Sequence, residues 1–311
     1  MNKVADSVAG SPPKIAVSGG SGILGAALRR RLGERGMPVA QLVRRAPVAS
    51  GELRWDPAAN PAIAEPEPLN GCLAAIHLSG ASVAGHRWTT AYKRELASSR
   101  IDSTRALAVL LTQLPDPPKA LIVASAIGIY GDRGGDLLDE SSAAGTGFLA
   151  DLCCRWEEAA RPAEEAGIRV VHARFGVVLG QGPGALAKML PVFRLGLGGR
   201  LGSGRQWMSW VSLDDAIAAI LFALDRQELA GPVNVTAPNP ATNAEFTRVL
   251  AKQLHRPAMM PAPAFALRLA LGQVADEALL ASARVVPTKL MAAGFEFSHP
   301  TLPEALAAAL G

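Results

Sequence analysis

The sequence has few of the features that mark membrane or secreted proteins. No stretch reaches the ~18 consecutive apolar residues of a membrane span. Residues 1–13 lack the apolar run of a signal peptide and predict a loose polar tail. Three cysteines, two of them adjacent, cannot build a disulfide framework: Cys72, Cys153 and Cys154. These absences predict a cytoplasmic protein without a membrane partner.

Charged residues are also scarce. They make up 19% of the 311 positions against 49% apolar residues, which excludes an intrinsically disordered chain. The formal net charge is +4, and basic residues form no run longer than 29–31, so no nucleic-acid partner is predicted. The histidines are scattered, with no second histidine or cysteine at ligand spacing, so no metal site is predicted.

What the sequence does have is a regular alternation of apolar runs and helical patterns. Buried parallel strands are predicted at residues 14–18, 39–43, 74–78, 120–125 and 170–174, with helices at 24–36, 89–114 and 148–167. This order predicts an α/β fold with a Rossmann-type doubly wound parallel sheet. The rhythm changes after Gly176, so we expect a first domain at 14–180. A smaller, mixed α/β unit on the substrate side follows at 181–311, with a soft boundary across which segments interleave.

The most informative motif follows the first predicted strand. Residues 18–25 read SGGSGILG and place Gly19, Gly22 and Gly25 between a strand and a helix. In such a motif the first glycine permits a tight turn, the second lets the backbone approach a pyrophosphate, and the third lets the helix pack closely on the sheet. The helix N-terminus then offers free N–H groups to the phosphates. The spacing and its context predict that domain 14–180 binds a dinucleotide.

The end of the second predicted strand indicates which dinucleotide is bound. Enzymes that use NAD commonly carry an acid there, which binds the ribose 2′-hydroxyl. This chain has Arg44 and Arg45 instead. A guanidinium can pair with a 2′-phosphate in a bidentate manner, so the sequence favours NADP(H), with Arg44 as the contact because it lies next to the strand end. The alternative for Arg45 is a solvated surface charge.

Longer segments carry a family resemblance. The chain resembles the epimerase family proteins, which are atypical short-chain dehydrogenase/reductases, in the segments HLSGASVAGHRW (77–88), ASAIGIYGD (124–132), RFGVVLG (174–180), GSGRQWMSWVSLDD (202–215) and GFEFSHPTLPEAL (294–306). The resemblance covers about residues 14–309. It implies a Rossmann core with bound NADP(H), and it implies no established reaction.

The resemblance also implies where the cofactor lies. It places the pyrophosphate on Ser21, Gly22, Ile23 and Leu24, the 2′-phosphate near Arg44, the adenosine side against Leu78, Ser79 and Gly80, and two further cofactor-side residues, Glu95 and Arg100, on the long helix. The family usually reads N-L-A-G-E where residues 77–81 of this chain read HLSGA. These departures leave backbone contacts as the expectation for that segment.

One pair of residues that short-chain dehydrogenases normally need is missing. They use a tyrosine as general acid/base, and a lysine four residues later lowers the phenol pKa. Here the residue four positions after Tyr92 is Leu96, and the one four positions after Tyr130 is Gly134. The predicted helical segment 148–161, where the pair would stand, has neither tyrosine nor lysine. The usual mechanism therefore cannot run through its usual residues.

Weaker candidates remain for chemistry and substrate binding. The catalytic candidates are Ser125, Tyr130 and Lys188, and the substrate-binding candidates are Arg205, Trp207 and Trp210. The first two follow a strand end, where ligands bind in doubly wound sheets. The two cations could bind a substrate phosphate or carboxylate, and the indoles could stack on a ring. Each also has a structural alternative, as a strand-end hydroxyl, a solvated charge or a packed ring.

Two functions stay open on the sequence. The first is an NADP(H)-dependent oxidoreductase or epimerase-like enzyme on an unidentified small molecule, with a nucleotide sugar suggested only by the family name. The second is a non-catalytic NADP(H)-binding module that senses the redox state and acts through a protein partner. The helices predicted at 89–114 and 148–167 could pair in a homodimer or face solvent.

Overall fold

A computed structural model describes residues 14–311, and the tail predicted at residues 1–13 lies outside the described residues. The strands, in chain order, are β1 (Ile15–Ser18), β2 (Val39–Val43), β3 (Glu52–Arg54), β4 (Ala74–His77), β5 (Ala120–Ala126), β6 (Leu137–Leu138), β7 (Arg169–Phe175), β8 (Val177–Leu179), β9 (Trp207–Met208), β10 (Trp210–Ser212), β11 (Gly231–Val235), β12 (Ala241–Thr242) and β13 (Arg284–Val285). The five strands predicted from the apolar runs are all present, with ends shifted by at most one residue.

Seven of these strands form one parallel sheet in the order β11-β7-β5-β4-β1-β2-β3. The chain starts in β1, moves outward to β2 and β3, and then returns to β4 on the other side. This confirms the predicted doubly wound fold. The reversal puts the topological switch point between β1 and β4, where such sheets bind ligands at the carboxyl ends of their strands. The last strand, β11, comes from the range 181–311, so the sheet draws on both parts of the chain.

Helices cover the sheet on both faces. They are α1 (Ile23–Glu34), α2 (Thr90–Ala97), α3 (Ser103–Thr112), α4 (Phe148–Glu158), α5 (Arg161–Glu165), α6 (Ala185–Arg194), α7 (Leu213–Asp225), α8 (Asn243–Gln253), α9 (Ala264–Leu271), α10 (Thr288–Ala292) and α11 (Leu302–Leu310). Helix α1 packs with α7, while α3 packs with α5 on the opposite side. The main core therefore lies between the buried strands and these two helical layers.

Two predicted helices are interrupted. The helix predicted at 89–114 consists of α2 and α3 joined by a π turn at Ser98–Asp102, which carries the buried Arg100. The helix predicted at 148–167 is split into α4 and α5. Pro162 lies in the first turn of α5; it has no N–H to donate, and its ring excludes a continuous helix through this point.

The smaller unit has a core of its own. It packs the fully buried Trp210 and Phe246 against Leu250 and Leu306, and so joins α8 to α11. Helix α11 begins with a complete capping box, in which Thr301 and Glu304 satisfy each other's backbone N–H groups. Strand β13 pairs with β6, which lies in the segment that follows β5. The C-terminal segment thereby reaches the carboxyl edge of the main sheet.

Candidate functional site

The loop between β1 and α1 is shaped by glycines that have no room for a side chain. Gly19 has a φ of +72°, and a Cβ there would lie 2.6 Å from the Leu78 carbonyl carbon and 2.8 Å from the Ser79 nitrogen. A Cβ at Gly25 would overlap the Gly19 carbonyl oxygen and lie 2.7 Å from the Gly20 Cα. These two glycines let β1, α1 and the segment after β4 meet at van der Waals distance.

Gly22 differs from these two because the protein itself leaves space beside it. A Cβ there would meet only the Gly19 carbonyl oxygen, at 3.5 Å. Gly22 is exposed and is the N-cap of α1, which has neither a side-chain cap nor an acidic residue in its first turn. The unsatisfied N–H groups and the positive end of the helix dipole therefore face an open space that suits an anion. The residues present fit a pyrophosphate here.

The two arginines after β2 have different roles. Arg45 forms a bidentate ion pair with Glu52, at 2.5 and 2.8 Å. The hydrogen bond from Arg45 lowers the pKa of Glu52 to about 2, helped by the N–H groups of Val48 and Ala49. Arg44 is exposed and, within residues 14–311, makes no hydrogen bond or ion pair. Arg44 is thus the guanidinium available to a ligand at this strand end.

The segment after β4 is held in place by Arg100. Its guanidinium donates to the carbonyl oxygens of Ala81 at 2.8 Å and Leu96 at 3.3 Å, and it lies 5.0 Å from the Trp156 ring centroid. A Cβ at Gly80 would be 3.2 Å from the Arg100 Cζ. Arg100 therefore supports the backbone of 78–81 from below, whereas Glu95 is exposed on α2.

His77, one of the departures from the family pattern, is fully buried in a chain of hydrogen bonds. Its Nδ1 lies 2.6 Å from the Ser18 Oγ, and its Nε2 lies 3.0 Å from the Ser103 Oγ. The Ser103 hydroxyl donates to the Ser99 carbonyl oxygen at 2.7 Å, so it accepts from His77 Nε2–H, and Nδ1 accepts from Ser18. Burial lowers the pKa of His77 to about 4, so the ring is neutral and ties β1, β4 and α3 together.

The carboxyl end of β5 is occupied by a buried polar network. The Ser125 hydroxyl donates to Glu157 at 2.6 Å, and Glu157 receives two hydrogen bonds of 2.8 Å from Arg174. Burial alone would lower the pKa of Arg174, but the hydrogen bonds and charge of Glu157 outweigh it and raise that pKa. Ser125 and Arg174 are 3% and 7% exposed, so this ion pair is an internal connection between α4 and β7.

Tyr130 belongs to the same network. Its hydroxyl donates to Asn234 at 2.8 Å and accepts from Arg174 at 3.0 Å, and its side chain is completely buried. Burial raises the pKa of Tyr130 despite the nearby guanidinium. The interpretation of Ser125 and Tyr130 as catalytic residues is therefore corrected by the structure, because both hydroxyl protons are held by internal acceptors and neither group is accessible to a substrate.

The face of α4 that is turned towards the end of β5 is apolar. A Cβ at Gly128, just after β5, would lie 3.4 Å from the Leu149 Cβ and 3.9 Å from the Cys153 Sγ. Leu149 and Cys153 are one helical turn apart, and burial raises the pKa of the Cys153 thiol to about 12. Neither residue can move a proton near neutral pH. The missing acid/base pair has no replacement on this helix face.

The remaining candidates lie in different environments. Lys188 is exposed on α6, and its Nζ donates to the Ala84 carbonyl oxygen, which joins the smaller unit to the segment after β4. Arg205 is exposed. Trp207 is partly buried beneath the Arg284 guanidinium, which lies 4.4 Å from its ring centroid. Trp210 is 0% exposed in the second core, so the prediction that it stacks on a substrate ring is wrong.

A cavity of about 530 Å³ borders the glycine-rich loop. Ser21, Gly22 and Ile23 form one side of it, and the other walls come from the segment after β8, the start of α7 and helix α11. Residues 14–311 contain no group of three acidic, histidine or cysteine side chains placed to hold a metal ion. In the same part of the chain, no helix combines the length and the apolar character that crossing a bilayer requires.

Several residues of this edge were not singled out on the sequence. They are Glu157, Asn234 and Arg284, together with Arg174 in its role as ion-pair partner. Arg174 carried a usable signal, because a charged residue at the end of an apolar strand must find a buried partner. Its partner Glu157 lies 17 residues away in sequence, and Asn234 lies 104 residues from Tyr130. No local pattern announces contacts of that range.

The fold and the glycine-lined loop define the class of this protein as a Rossmann-type dinucleotide-binding protein. The profile of the NAD dependent epimerase/dehydratase family matches residues 15–236, and that of a domain of unknown function, DUF1731, matches residues 262–309. The chain belongs to the NAD dependent epimerase/dehydratase family. Epimerase family protein Mb2239 of Mycobacterium bovis is 45% identical over 292 residues, which are 94% of this chain and 96% of that protein.

Solved structures show the same relationship. The crystal structure of human epimerase family protein SDR39U1 (isoform 2) with NADPH has a TM-score of 0.87 and 34% identity, and the match covers 95% of this chain and 98% of that one. The nucleoside-diphosphate sugar epimerase of Corynebacterium glutamicum has a TM-score of 0.79 and 34% identity, over 97% of this chain and 59% of that one. These likenesses confirm the family resemblance drawn from the motifs.

Proposed function

We propose that this chain binds NADP(H) rather than NAD(H), with Arg44 contacting the 2′-phosphate. The observation that carries the proposal is the unequal state of the two arginines after β2. Arg45 is committed to Glu52, whereas Arg44 is exposed and, in the part of the chain described, unpaired. The NADPH in the similar human protein supports the same choice.

The other contacts follow from the loop geometry. The N–H groups of Ser21 to Leu24 hold the pyrophosphate, and the backbone of Leu78, Ser79 and Gly80 borders the adenosine side. Arg100 acts from below as a positioning residue, through its hydrogen bond to Ala81. When bound, the cofactor supplies or accepts a hydride at its nicotinamide ring.

Charge reversal at Arg44 tests the cofactor preference. In Arg44→Asp, a carboxylate replaces the guanidinium and repels the 2′-phosphate, so we expect NADPH affinity to fall roughly ten- to hundredfold while NADH affinity holds or rises. Calorimetric titration of both nucleotides measures the ratio. Arg45→Met is the matched control, since it removes the neighbouring charge but leaves Arg44 in place, and its ratio should stay that of the wild type. An unchanged ratio in Arg44→Asp would remove Arg44 from the site.

For the reaction, we propose an NADP(H)-linked oxidoreductase or epimerase-like enzyme acting on a small molecule. The cleft between the sheet edge and the smaller unit, closed on one side by the Lys188–Ala84 contact, supports this role. A nucleoside-diphosphate sugar is the first class to test, because the similar Corynebacterium protein is named for it. Incubation with NADPH deuterated at either face of nicotinamide C4 and a metabolite extract should yield a product that gains one deuterium. No labelled product, with NADPH binding shown in the same sample, would count against net hydride transfer.

A second candidate function is redox sensing without catalysis. It is favoured by the state of the β5 end, where Ser125 and Tyr130 are locked internally and α4 presents Leu149 and Cys153. A sensor must bind the two redox forms of the cofactor differently, or change conformation differently with each. Hydrogen exchange of the protein saturated with NADPH or with NADP⁺ measures this. Identical exchange patterns with the two forms would exclude redox sensing.

A further inference from the structure

Arg284 differs from the other arginines that the fold withdraws from solvent. Arg100 donates to two carbonyl oxygens, Arg169 donates to the Leu229 carbonyl oxygen at 2.7 Å, and Arg174 pairs with Glu157. The Nε of Arg284 is buried without a hydrogen-bond partner in residues 14–311. Arg284 also makes no ion pair in that part of the chain. Of the buried side-chain atoms that lack a partner there, only this one belongs to a permanently charged group.

The Arg284 side chain is held on a firm support. Its guanidinium lies 4.4 Å from the Trp207 ring centroid, so an indole face covers one side of it. Two residues earlier, Ser282 accepts a hydrogen bond from the Trp207 N–H at 3.0 Å, and its own N–H donates to Asp132 at 3.2 Å. Backbone and side-chain contacts thus hold Arg284 and Trp207 together as a pair.

This pair lies on the substrate side of the sheet edge. Arg284 stands opposite Leu137 in the β13–β6 pairing, and β6 belongs to the segment that leaves the carboxyl end of β5. Parallel sheets of this type bind their ligands beyond the carboxyl ends of the strands. The two anionic groups of the cofactor are already assigned to the start of α1 and to Arg44. Arg284 is a further cation, contributed by the C-terminal segment.

A desolvated guanidinium without an acceptor is unfavourable, and nothing in the described chain offsets it. An oxyanion supplied by a ligand would complete its hydrogen bonds, and the planar fork of the guanidinium suits a carboxylate or a phosphate. We propose that Arg284, stacked on Trp207, is the binding site for an anionic group, a carboxylate or a phosphate, of the small-molecule substrate. The proposal rests on the proposed function, because it assigns a ligand class to the substrate side of the same cleft.

Anion titration of the cofactor-saturated protein tests the site directly. NADPH is titrated first, so that a failure of cofactor binding is seen on its own. Inorganic phosphate and malonate are then titrated in turn at constant ionic strength up to about 50 mM, above the millimolar Kd of a single ionic contact. We expect saturable binding of one of them in the wild type and in Arg248→Met, an exposed charge-matched control on α8, and about tenfold weaker binding in Arg284→Met.

The outcomes separate the two sources of the anion. Tighter phosphate binding assigns a phosphorylated substrate, and tighter malonate binding assigns a carboxylate. Binding that is equal in wild type and Arg284→Met, or no saturable binding of either anion, overturns the proposal. Unchanged NADPH affinity in Arg284→Met is expected, because Arg284 serves the substrate and not the cofactor.

Thermal unfolding provides a test that needs no ligand. Because Arg284 lacks an internal acceptor, Arg284→Met should unfold at the wild-type temperature or above it. Arg174→Met, which removes a paired guanidinium, should unfold at a lower temperature. A fall in the unfolding temperature of Arg284→Met as large as that of Arg174→Met would show that Arg284 stabilises the fold, and would overturn its assignment as a ligand site.

Discussion

The cofactor loop after β1 and the polar network after β5 lie at the same edge of one sheet, yet they are built in different ways. The loop consists of backbone, and its glycines are needed because the Gly19 and Gly25 Cα atoms have no space for a side chain. The network consists of side chains from four elements, and it includes Ser125, Glu157 and Arg174. A site of backbone can be recognised from local spacing, whereas a site of side chains depends on partners that only the fold brings together.

The largest effect should come from adding one carbon to the loop. In Gly25→Ala the new methyl group would overlap the Gly19 carbonyl oxygen, so the loop must move and NADPH binding should be lost. Calorimetry measures the binding, and circular dichroism checks that the fold persists. Gly33→Ala is the matched control on the same helix, because a Cβ there meets nothing within 4 Å, and it should stabilise the protein by up to about 1 kcal/mol. Full NADPH affinity in Gly25→Ala would contradict the backbone account.

A comparably large effect is expected in the network. Arg174→Met leaves the buried Glu157 carboxylate without its partner and should lower the free energy of unfolding by about 3–5 kcal/mol. Denaturant unfolding measures it. The double variant Arg174→Met/Glu157→Leu should recover most of this loss, since an apolar pair replaces the ion pair. Arg155→Met, at an exposed position on α4, should change stability by less than about 0.5 kcal/mol. A small loss in the Arg174 single variant would mean that water already reaches the pair.

A smaller effect is expected from His77, which borders the cofactor loop but resembles the network in its burial. Its pKa of about 4 in the folded protein lies below the unfolded value, so the unfolded chain takes up the proton first as the pH falls. The stabilisation is complete above the unfolded pKa and is lost below it, by about 2 kcal/mol between pH 7 and pH 5. Urea unfolding across that range measures it. His77→Asn should flatten the dependence, whereas His86→Asn, at an exposed histidine, should leave it unchanged.

The sequence predicted those parts of the protein that local patterns encode. Strand β2 lies where the apolar run placed it, and the glycine spacing located the loop between β1 and α1. The choice between Arg44 and Arg45 could be proposed but not decided, because Glu52 approaches Arg45 only through the β2–β3 pairing. Ser125, Tyr130 and Trp210 were misinterpreted because the strand-end position was recognised while the burial, set by residues far away in sequence, was not. The homodimer and the cytoplasmic location stay predictions.

The position of β11 has a consequence for how the chain reaches this fold. Strand β7 is bonded to β5 on one side and to β11 on the other, and β11 ends 60 residues after β7. A chain released or cut after residue 180 would leave the backbone of a buried, apolar strand unpaired along one edge, which is a template for edge-to-edge aggregation. During synthesis the ribosome must deliver Val235 before the sheet can close, so the first half of the protein depends on the second for its solubility while it is being made.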